Sequence, residues 1–162
     1  HKISIALEEM GLEYQVFPIN ILENDQFQPD FLRISPNNKI PAIVDQDGPK
    51  GEAISVFESG AILQYLGRKT GQFYPSDEQS RVEVEQWLMW QMGGFGPMLG
   101  QNHHFSKFAP ERIAYATERY VNETKRLYAV LDKQLFGQNY VAGEYSIADM
   151  AIFPWILRYE WQ

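Results

Sequence analysis

The 162-residue chain contains no cysteine. This absence excludes a disulfide scaffold, a zinc site built from thiolates and a redox-active thiol carried by the protein itself. Any thiol chemistry here must therefore use the sulfur atom of a ligand. The chain also lacks an apolar run close to the ~20 residues that span a bilayer, and it shows no secretory signal pattern. We expect a cytoplasmic protein with no membrane partner.

Basic residues are scarce relative to acidic ones. Lysine and arginine number 14 against 21 aspartates and glutamates, which gives a formal net charge of −7. Because nucleic-acid binding needs a basic surface, this balance argues against a nucleic-acid partner. Hydrophobic residues make up 44% of the chain and aromatic residues 14%, enough for a packed core.

The stretch Asn-Asn-Lys-Ile-Pro-Ala-Ile-Val at residues 37–44 is the most informative part of the chain. Pro41 cannot donate a ladder hydrogen bond, so we expect it at the start of a strand, Ala42–Asp45. The peptide bond before Pro41 can be cis, which would turn the backbone groups of Ile40 toward a ligand. A rigid start to the strand, without a ligand role, is the alternative.

A second motif, Phe-Glu-Ser-Gly at residues 57–60, follows a turn and a returning strand predicted over residues 53–56. We expect a helix from residue 59 to residue 69, whose first N–H groups carry partial positive charge. Those groups and the Ser59 hydroxyl could bind a ligand carboxylate, and Glu58 could accept from a ligand ammonium. Ordinary N-capping is the alternative. Together the two motifs favour a site for an extended peptide with a free amino-acid end.

The remaining elements follow from hydrophobic periodicity. A linker at residues 73–77 predicts a boundary between a mixed α/β domain, residues 1–72, and an all-helical domain, residues 79–162. The run from Gly93 to Pro97 is expected to bend or break a helix. Ser146 and Asp149 have the spacing of a capping box. The pattern predicts a strand at residues 12–19 and helices at residues 2–10, 29–34, 80–92, 110–135 and 148–157.

Taken together, these motifs resemble the glutathione transferases, and most specifically the Nu class, a bacterial and fungal group related to the yeast nitrogen-regulator prion protein. The run Gly-Pro-Met-Leu-Gly-Gln at residues 96–101 is the part most specific to that group, whereas Ile40-Pro41 and Glu58-Ser59 are shared by most transferases. The resemblance rests on residues 25–27, 35–45, 57–63, 87–91, 96–105, 118–120 and 145–149.

The resemblance implies a thioredoxin-like N-terminal domain with a mixed sheet, followed by an all-α helical bundle domain. It implies glutathione, reduced or as its disulfide, as cosubstrate, with no metal. The implied activity is reduction of a small disulfide or transfer of glutathione to an electrophile, by a homodimer. A non-catalytic glutathione-binding regulatory module and an assembly domain of a larger complex are the alternatives. The implied glutathione-binding residues are Gln26, Asn38, Ile40, Glu58, Ser59 and Arg119, with Pro41, Ser146 and Asp149 in structural roles.

In this family a first strand precedes the first helix, and the loop between them carries a threonine and an asparagine that contact the glutathione sulfur. His1 resembles the start of that helix. We therefore expect the sulfur-contacting residues upstream of His1 and further helices beyond Gln162, and we place no catalytic residue within this numbering.

Three of these features have plainer interpretations. Arg119 could form a surface ion pair with Glu123, one helical turn away. Gln26 could be a solvated loop residue. His103 and His104 could suggest a metal, but adjacent helical residues point about 100° apart and no third ligand is evident, so we expect none.

Overall fold

The computed structural model describes all 162 residues, and they divide into two compact units. The first comprises residue 1 and residues 3–70, and the second comprises residue 2 and residues 71–162. None of the helices combines the length and the apolar character that a bilayer crossing requires.

The first unit packs three helices with one antiparallel pair of strands. The strands β1 and β2 run antiparallel, with Ala42 opposite Phe57 at one end and Asp45 opposite Ile54 at the other. Its core side chains include Ala6, Phe31, Ile62, Leu63 and Leu66. The elements are α1 (Lys2–Glu9), α2 (Pro29–Ile34), β1 (Ala42–Asp45), β2 (Ile54–Phe57) and α3 (Ser59–Thr70), with short 3₁₀ turns at Asp25–Phe27 and Pro49–Gly51.

The predicted strand at residues 12–19 is wrong. No residue of this segment belongs to a strand, and the sheet contains only β1 and β2. Val16 and Phe17 are 71% and 73% exposed. Alternation of apolar residues predicts which side chains share a face, but a strand also needs a neighbour to complete its hydrogen-bond ladder. Residues 12–19 pair with neither β1 nor β2.

A partly buried polar network holds α3 against the hairpin. The Tyr65 hydroxyl donates to Asp45 Oδ2 over 2.6 Å, and Lys69 Nζ reaches the same oxygen over 2.5 Å. Lys69 also donates to the carbonyl oxygen of Asp47 over 2.7 Å. Because these contacts tie the body of α3 to the end of β1, they fix the direction in which the first turn of α3 points.

The second unit is entirely helical. It contains α4 (Glu78–Trp90), α5 (Gly96–His103), α6 (Ala114–Leu135) and α7 (Ile147–Ile156). Wide π-type turns at Gln91–Phe95 and His104–Phe108 follow α4 and α5. Its core is formed mainly by Val84, Leu88, Phe95, Leu99, Leu127, Leu131, Ile147 and Met150.

The glycine-rich run after α4 ends the regular α-helix, as the sequence predicted, but the chain keeps a helical path. The Gly96 N–H bonds to the carbonyl oxygen of Gln91, five residues back, which makes one turn wider than an α-turn. Pro97, which follows at once, has no N–H to donate to the preceding turn, so the wide turn lies where the regular hydrogen-bond pattern is interrupted. The chain therefore passes from α4 through the wide turn into α5.

Helix α6 begins later than predicted. The sequence suggested Pro110 as its first residue, but the helix begins at Ala114 with Ile113 at the N-cap. The Ile113 carbonyl accepts the Thr117 N–H over 3.0 Å, the first bond of the helix. Proline is tolerated at a helix start but does not impose one. The predicted apolar stripe is present and buries Thr124, Leu127 and Leu131.

Helix α7 begins with the capping box that the spacing of Ser146 and Asp149 predicts. Ser146 Oγ accepts from the Ala148 N–H over 3.3 Å, and Asp149 Oδ2 accepts from the Ser146 N–H over 3.0 Å. The first half of this helix is buried, whereas Phe153 in its second half is 51% exposed.

Candidate functional site

The register of the hairpin brings the two sequence motifs to one end of the sheet. Ala42 pairs with Phe57, so Pro41 precedes one strand and Glu58 follows the other at the same end. The Ile40–Pro41 peptide bond is cis, and Ile40 is 54% exposed. Residues separated by 18 positions in sequence thus border one surface of the first unit.

Glu58 occupies an uncommon backbone conformation at the start of α3. Its φ angle is +68°, and its carbonyl oxygen accepts the Ile62 N–H over 2.9 Å. A non-glycine residue in this region costs about 1 to 3 kcal/mol, and such residues concentrate at ligand sites. The Glu58 side chain is exposed, whereas Ser59 beside it is only 8% exposed. The first N–H groups of α3 provide the partial positive charge on which a carboxylate can be bound.

The loop before Pro41 contacts this helix start directly. The Asn37 side-chain amide donates to Glu58 Oε1 over 3.3 Å. Ser35 Oγ, which is buried, donates to the Lys39 carbonyl oxygen over 2.8 Å, and Asn38 has a φ angle of +48°. The loop is therefore held in one shape. Asn37 was not among the predicted site residues, although it lies in the same motif, and only its contact with Glu58 distinguishes it.

Gln26 lies in the 3₁₀ turn before α2. Its Nε2 donates to the Ile21 carbonyl oxygen over 3.4 Å, while its Oε1 is buried and has no hydrogen-bond partner. A buried acceptor without a partner costs about 1 to 3 kcal/mol unless a ligand or water satisfies it. The simple interpretation as a solvated loop side chain therefore does not fit. No hydrogen bond joins Gln26 to Ile40 or Glu58.

Arg119 lies in the second unit, on the exposed side of α6. It borders a groove of about 660 Å³ and makes no ion pair. The alternative of an Arg119–Glu123 pair is wrong, because Glu123 instead binds Arg126 through two hydrogen bonds of 2.8 Å. The groove is lined by Met98, Tyr115, Glu118, Arg119, Tyr120, Asn122, Glu123 and Arg126.

The two adjacent histidines contact different neighbours. The His103 ring lies 6.0 Å from the Trp155 ring, and the His104 ring lies 4.9 Å from that of Phe105. Burial, with a smaller contribution from the charge of Arg158, lowers the pKa of His103. The structure contains no group of three or more histidine, aspartate or glutamate side chains placed to hold a metal ion.

Comparison with known proteins gives the family. The N-terminal domain model of the glutathione S-transferases matches residues 1–68. The disulfide-bond oxidoreductase YfcG of Escherichia coli is 56% identical over 160 residues, covering 96% of this chain and 74% of YfcG. The chain belongs to the glutathione S-transferase superfamily. This chain covers only part of the length of other curated relatives. It covers 62% of a Streptococcus mutans protein, and its share of another relative also lies between a half and two thirds.

Solved structures agree with this assignment across both units. A glutathione transferase family member from Pseudomonas fluorescens, with two glutathione molecules bound, has a TM-score of 0.94 and 52% identity, covering 97% of this chain and 70% of that one. A Pseudomonas putida transferase with one glutathione disulfide per subunit has a TM-score of 0.94 and 51% identity, covering 97% and 69%. The expected relationship to the yeast regulator is confirmed: URE2 of Candida glabrata is 34% identical over 140 residues, covering 83% of this chain and 39% of URE2. The transferase fold predicted from the sequence is likewise confirmed.

Proposed function

We propose that this transferase-family protein is a glutathione-dependent disulfide-bond oxidoreductase that also transfers glutathione to small electrophiles. The proposal rests on one observation: Ile40 and Glu58 lie at the same end of the hairpin. The names of two relatives support this type of activity. YfcG is named a disulfide-bond oxidoreductase, and the Pseudomonas putida transferase binds glutathione disulfide.

Each residue at this end of the sheet has a role in the proposal. The backbone of Ile40, a residue that is 54% exposed, pairs with the cysteinyl backbone of glutathione. Glu58 accepts from the γ-glutamyl ammonium, and Ser59 with the first N–H groups of α3 binds the γ-glutamyl carboxylate. Asn38 shapes the loop beside Ile40, and Pro41 starts the strand.

Two further residues are proposed to contact glutathione. Gln26 offers a buried Oε1 acceptor that has no partner within the protein. In the second unit, the unpaired guanidinium of Arg119 binds a glutathione carboxylate, for which arginine geometry is well suited. Neither role follows from the fold alone, and both can be tested by substitution.

Glutathione supplies the thiol that this cysteine-free chain lacks. The thiolate of one molecule attacks a substrate disulfide, forming a mixed disulfide and releasing one substrate thiolate. A second glutathione thiolate then releases the other substrate thiol, so two glutathiones are oxidised to glutathione disulfide while the substrate gains two electrons. The part of this chain is to hold the peptide by its backbone and its charged ends. A thiol pKa lowered by one unit corresponds to about 1.4 kcal/mol of preference for the thiolate.

Calorimetry with reduced and oxidised glutathione tests the binding part of the proposal on the full-length protein. Binding should raise the melting temperature, since a ligand at 100 times its Kd adds about 2.7 kcal/mol of stability. The dipeptide cysteinylglycine is the matched control, because it lacks the γ-glutamyl group assigned to Glu58 and Ser59, and it should bind more weakly by at least tenfold. Absence of any binding would refute the proposal.

Turnover separates an enzyme from a binding module. The full-length protein with glutathione should reduce 2-hydroxyethyl disulfide faster than glutathione alone. Tight binding without acceleration, on that disulfide and on an electrophile such as 1-chloro-2,4-dinitrobenzene, would show a glutathione-binding regulatory protein instead.

We also propose that the protein acts as a homodimer in the cytoplasm. Large apolar side chains that remain exposed, such as Leu22 at 85% and Phe136 at 90%, support burial against a second copy. The lack of cysteine is compatible with a reducing compartment. Sedimentation of the full-length protein tests the oligomeric state.

A further inference from the structure

The groove beside α6 contains two arginines and two glutamates, and their pairing is selective. Arg119 and Glu123 are four residues apart, and Glu123 and Arg126 are three apart, so either arginine could pair with Glu123 on the same helix face. The structure shows one of the two pairs. Arg126 Nε and Nη2 donate to the two carboxylate oxygens of Glu123, each over 2.8 Å.

The chemistry explains why this pair forms. A two-point contact between guanidinium and carboxylate is stronger than a single hydrogen bond. A glutamate that precedes its basic partner on a helix also complements the helix dipole better than the reverse order, and Glu123 precedes Arg126 but follows Arg119. Each preference is small, but both favour the same partner.

Arg119 nevertheless lies within electrostatic range of Glu123. The hydrogen bonds and charge of Arg126 lower the pKa of the Glu123 carboxyl, and the charge of Arg119 adds a smaller contribution in the same direction. Glu123 is partly covered, with its side chain 32% exposed, while that of Arg126 is 59% exposed. If Arg126 released Glu123, the nearest basic group on the preceding turn would be Arg119.

We propose that Arg126 is a positioning residue, which engages Glu123 and so leaves the Arg119 guanidinium free to bind a ligand carboxylate in this groove. The inference rests on the proposed role of Arg119 in binding glutathione. Arg126 itself need not touch the ligand. Its effect on ligand affinity acts through Glu123, so that effect should disappear when Glu123 is replaced.

The test compares the affinity of full-length variants for glutathione disulfide by calorimetry. An exposed ion pair at this spacing is worth about 0.3 to 0.5 kcal/mol, so a competing Arg119–Glu123 pair would reduce affinity about twofold. We expect that loss in Arg126→Gln and no loss in Glu123→Gln. The double variant should bind as tightly as Glu123→Gln, because without the carboxylate there is no competitor.

Lys125→Gln is the matched control, since it removes one positive charge from the neighbouring position and Lys125 does not line the groove. It should bind like the unmodified protein. A loss in Arg126→Gln that persists in the double variant, or that Lys125→Gln reproduces, would overturn the inference. Failure of the proposed function looks different: the unmodified protein does not bind glutathione disulfide, or Arg119→Gln binds as tightly as the unmodified protein.

Discussion

The Asn37 side-chain amide donates to Glu58 Oε1 over 3.3 Å, across 21 residues of sequence. The bond joins the loop before Pro41 to the start of α3. It occupies one oxygen of the carboxylate of an exposed residue. The pair explains how Glu58 is held in place without an arginine or lysine partner, which would compete with a ligand ammonium.

Glu58→Gln should weaken binding of glutathione by tenfold or more with little change in stability. A hydrogen bond to a charged group is worth about 1.5 to 3 kcal/mol, and the amide keeps the shape of the side chain but loses the charge. Calorimetry measures the affinity and thermal unfolding the stability. Glu52→Gln, an exposed acid of the same unit, is the control and should bind normally. If both variants bound glutathione with equal affinity, Glu58 would not be a glutathione-binding residue.

Tyr65→Phe should lower the free energy of unfolding by about 1.5 kcal/mol, because it deletes one hydrogen bond to the Asp45 carboxylate. Burial alone would raise the pKa of Asp45, but hydrogen bonds from Lys69 and Tyr65 outweigh it and lower that pKa below the ordinary 3.8. Urea unfolding at pH 7 measures the difference. Tyr159→Phe, at an exposed position, should change the free energy by less than about 0.5 kcal/mol.

The same network predicts two pH limits. A carboxyl with a lowered pKa in the folded state contributes stability above its unfolded pKa and loses it as the pH falls through the folded value. The difference in free energy of unfolding between the unmodified protein and Tyr65→Phe should therefore shrink below about pH 4.

Burial, and then the hydrogen bond to Asp45, raises the pKa of Tyr65 to about 12. The unmodified protein should therefore lose this contribution as the pH rises from about 10 to about 12. A difference that stayed constant with pH would show that the hydrogen bond is not its source.

Asp149→Ala should destabilise the protein more than Ser146→Ala, although both belong to the same capping box. Asp149 accepts from the backbone N–H groups of Val141 and Ser146 at 2.9 and 3.0 Å, so its loss leaves two donors without a partner. We expect about 2 to 3 kcal/mol, against about 1 kcal/mol for Ser146→Ala. Chemical unfolding gives both values, with Asp132→Ala on the exposed face of α6 as reference. Equal costs for the two variants would contradict this account.

Gly96→Ala and Gly93→Ala should have opposite effects. A Cβ atom at Gly96 would lie 2.5 Å from Gln91 Nε2 and 2.9 Å from Trp155 Nε1, whereas one at Gly93 meets nothing within 4 Å. Overpacking typically costs about 1 to 3 kcal/mol, and an unhindered Gly→Ala change gains about 0.4 to 1 kcal/mol. The melting temperature should therefore fall in Gly96→Ala and rise in Gly93→Ala. A Gly96→Ala variant as stable as the unmodified protein would show that Trp155 can shift without cost.

Local patterns predicted much of the first unit. The predicted ranges of α2 and β1, which begin at Pro29 and just after Pro41, match the structure. Gly11 and Gly71 follow α1 and α3 with positive φ angles, as helix-ending glycines do. These signals are local, since each depends on the backbone freedom of a single residue. The prediction of a strand at residues 12–19 failed for the opposite reason, because a strand depends on a partner that its own residues do not specify.

The site could be predicted only in part from the sequence. Ile40 and Glu58 were found because each begins or precedes a regular element, where local rules are informative. The contact of Asn37 with Glu58 and the choice of Glu123 between two arginines depend on side-chain geometry. Spacing allowed either Arg119 or Arg126 to pair with Glu123. The order along the helix favours Arg126 slightly, and the two-point contact seen in the structure adds to that preference.

The wide turn at Gln91–Phe95 sets the rotational phase between α4 and α5. Each residue of an α-helix advances the chain by about 100°, so deleting one residue here would turn α4 by roughly that angle about its own axis. Val84 and Leu88, now in the core, would rotate away from it, and charged neighbours would take their place. A single deletion at this point of the chain should thus cost more than a substitution at an exposed position of the same turn, such as Gly93.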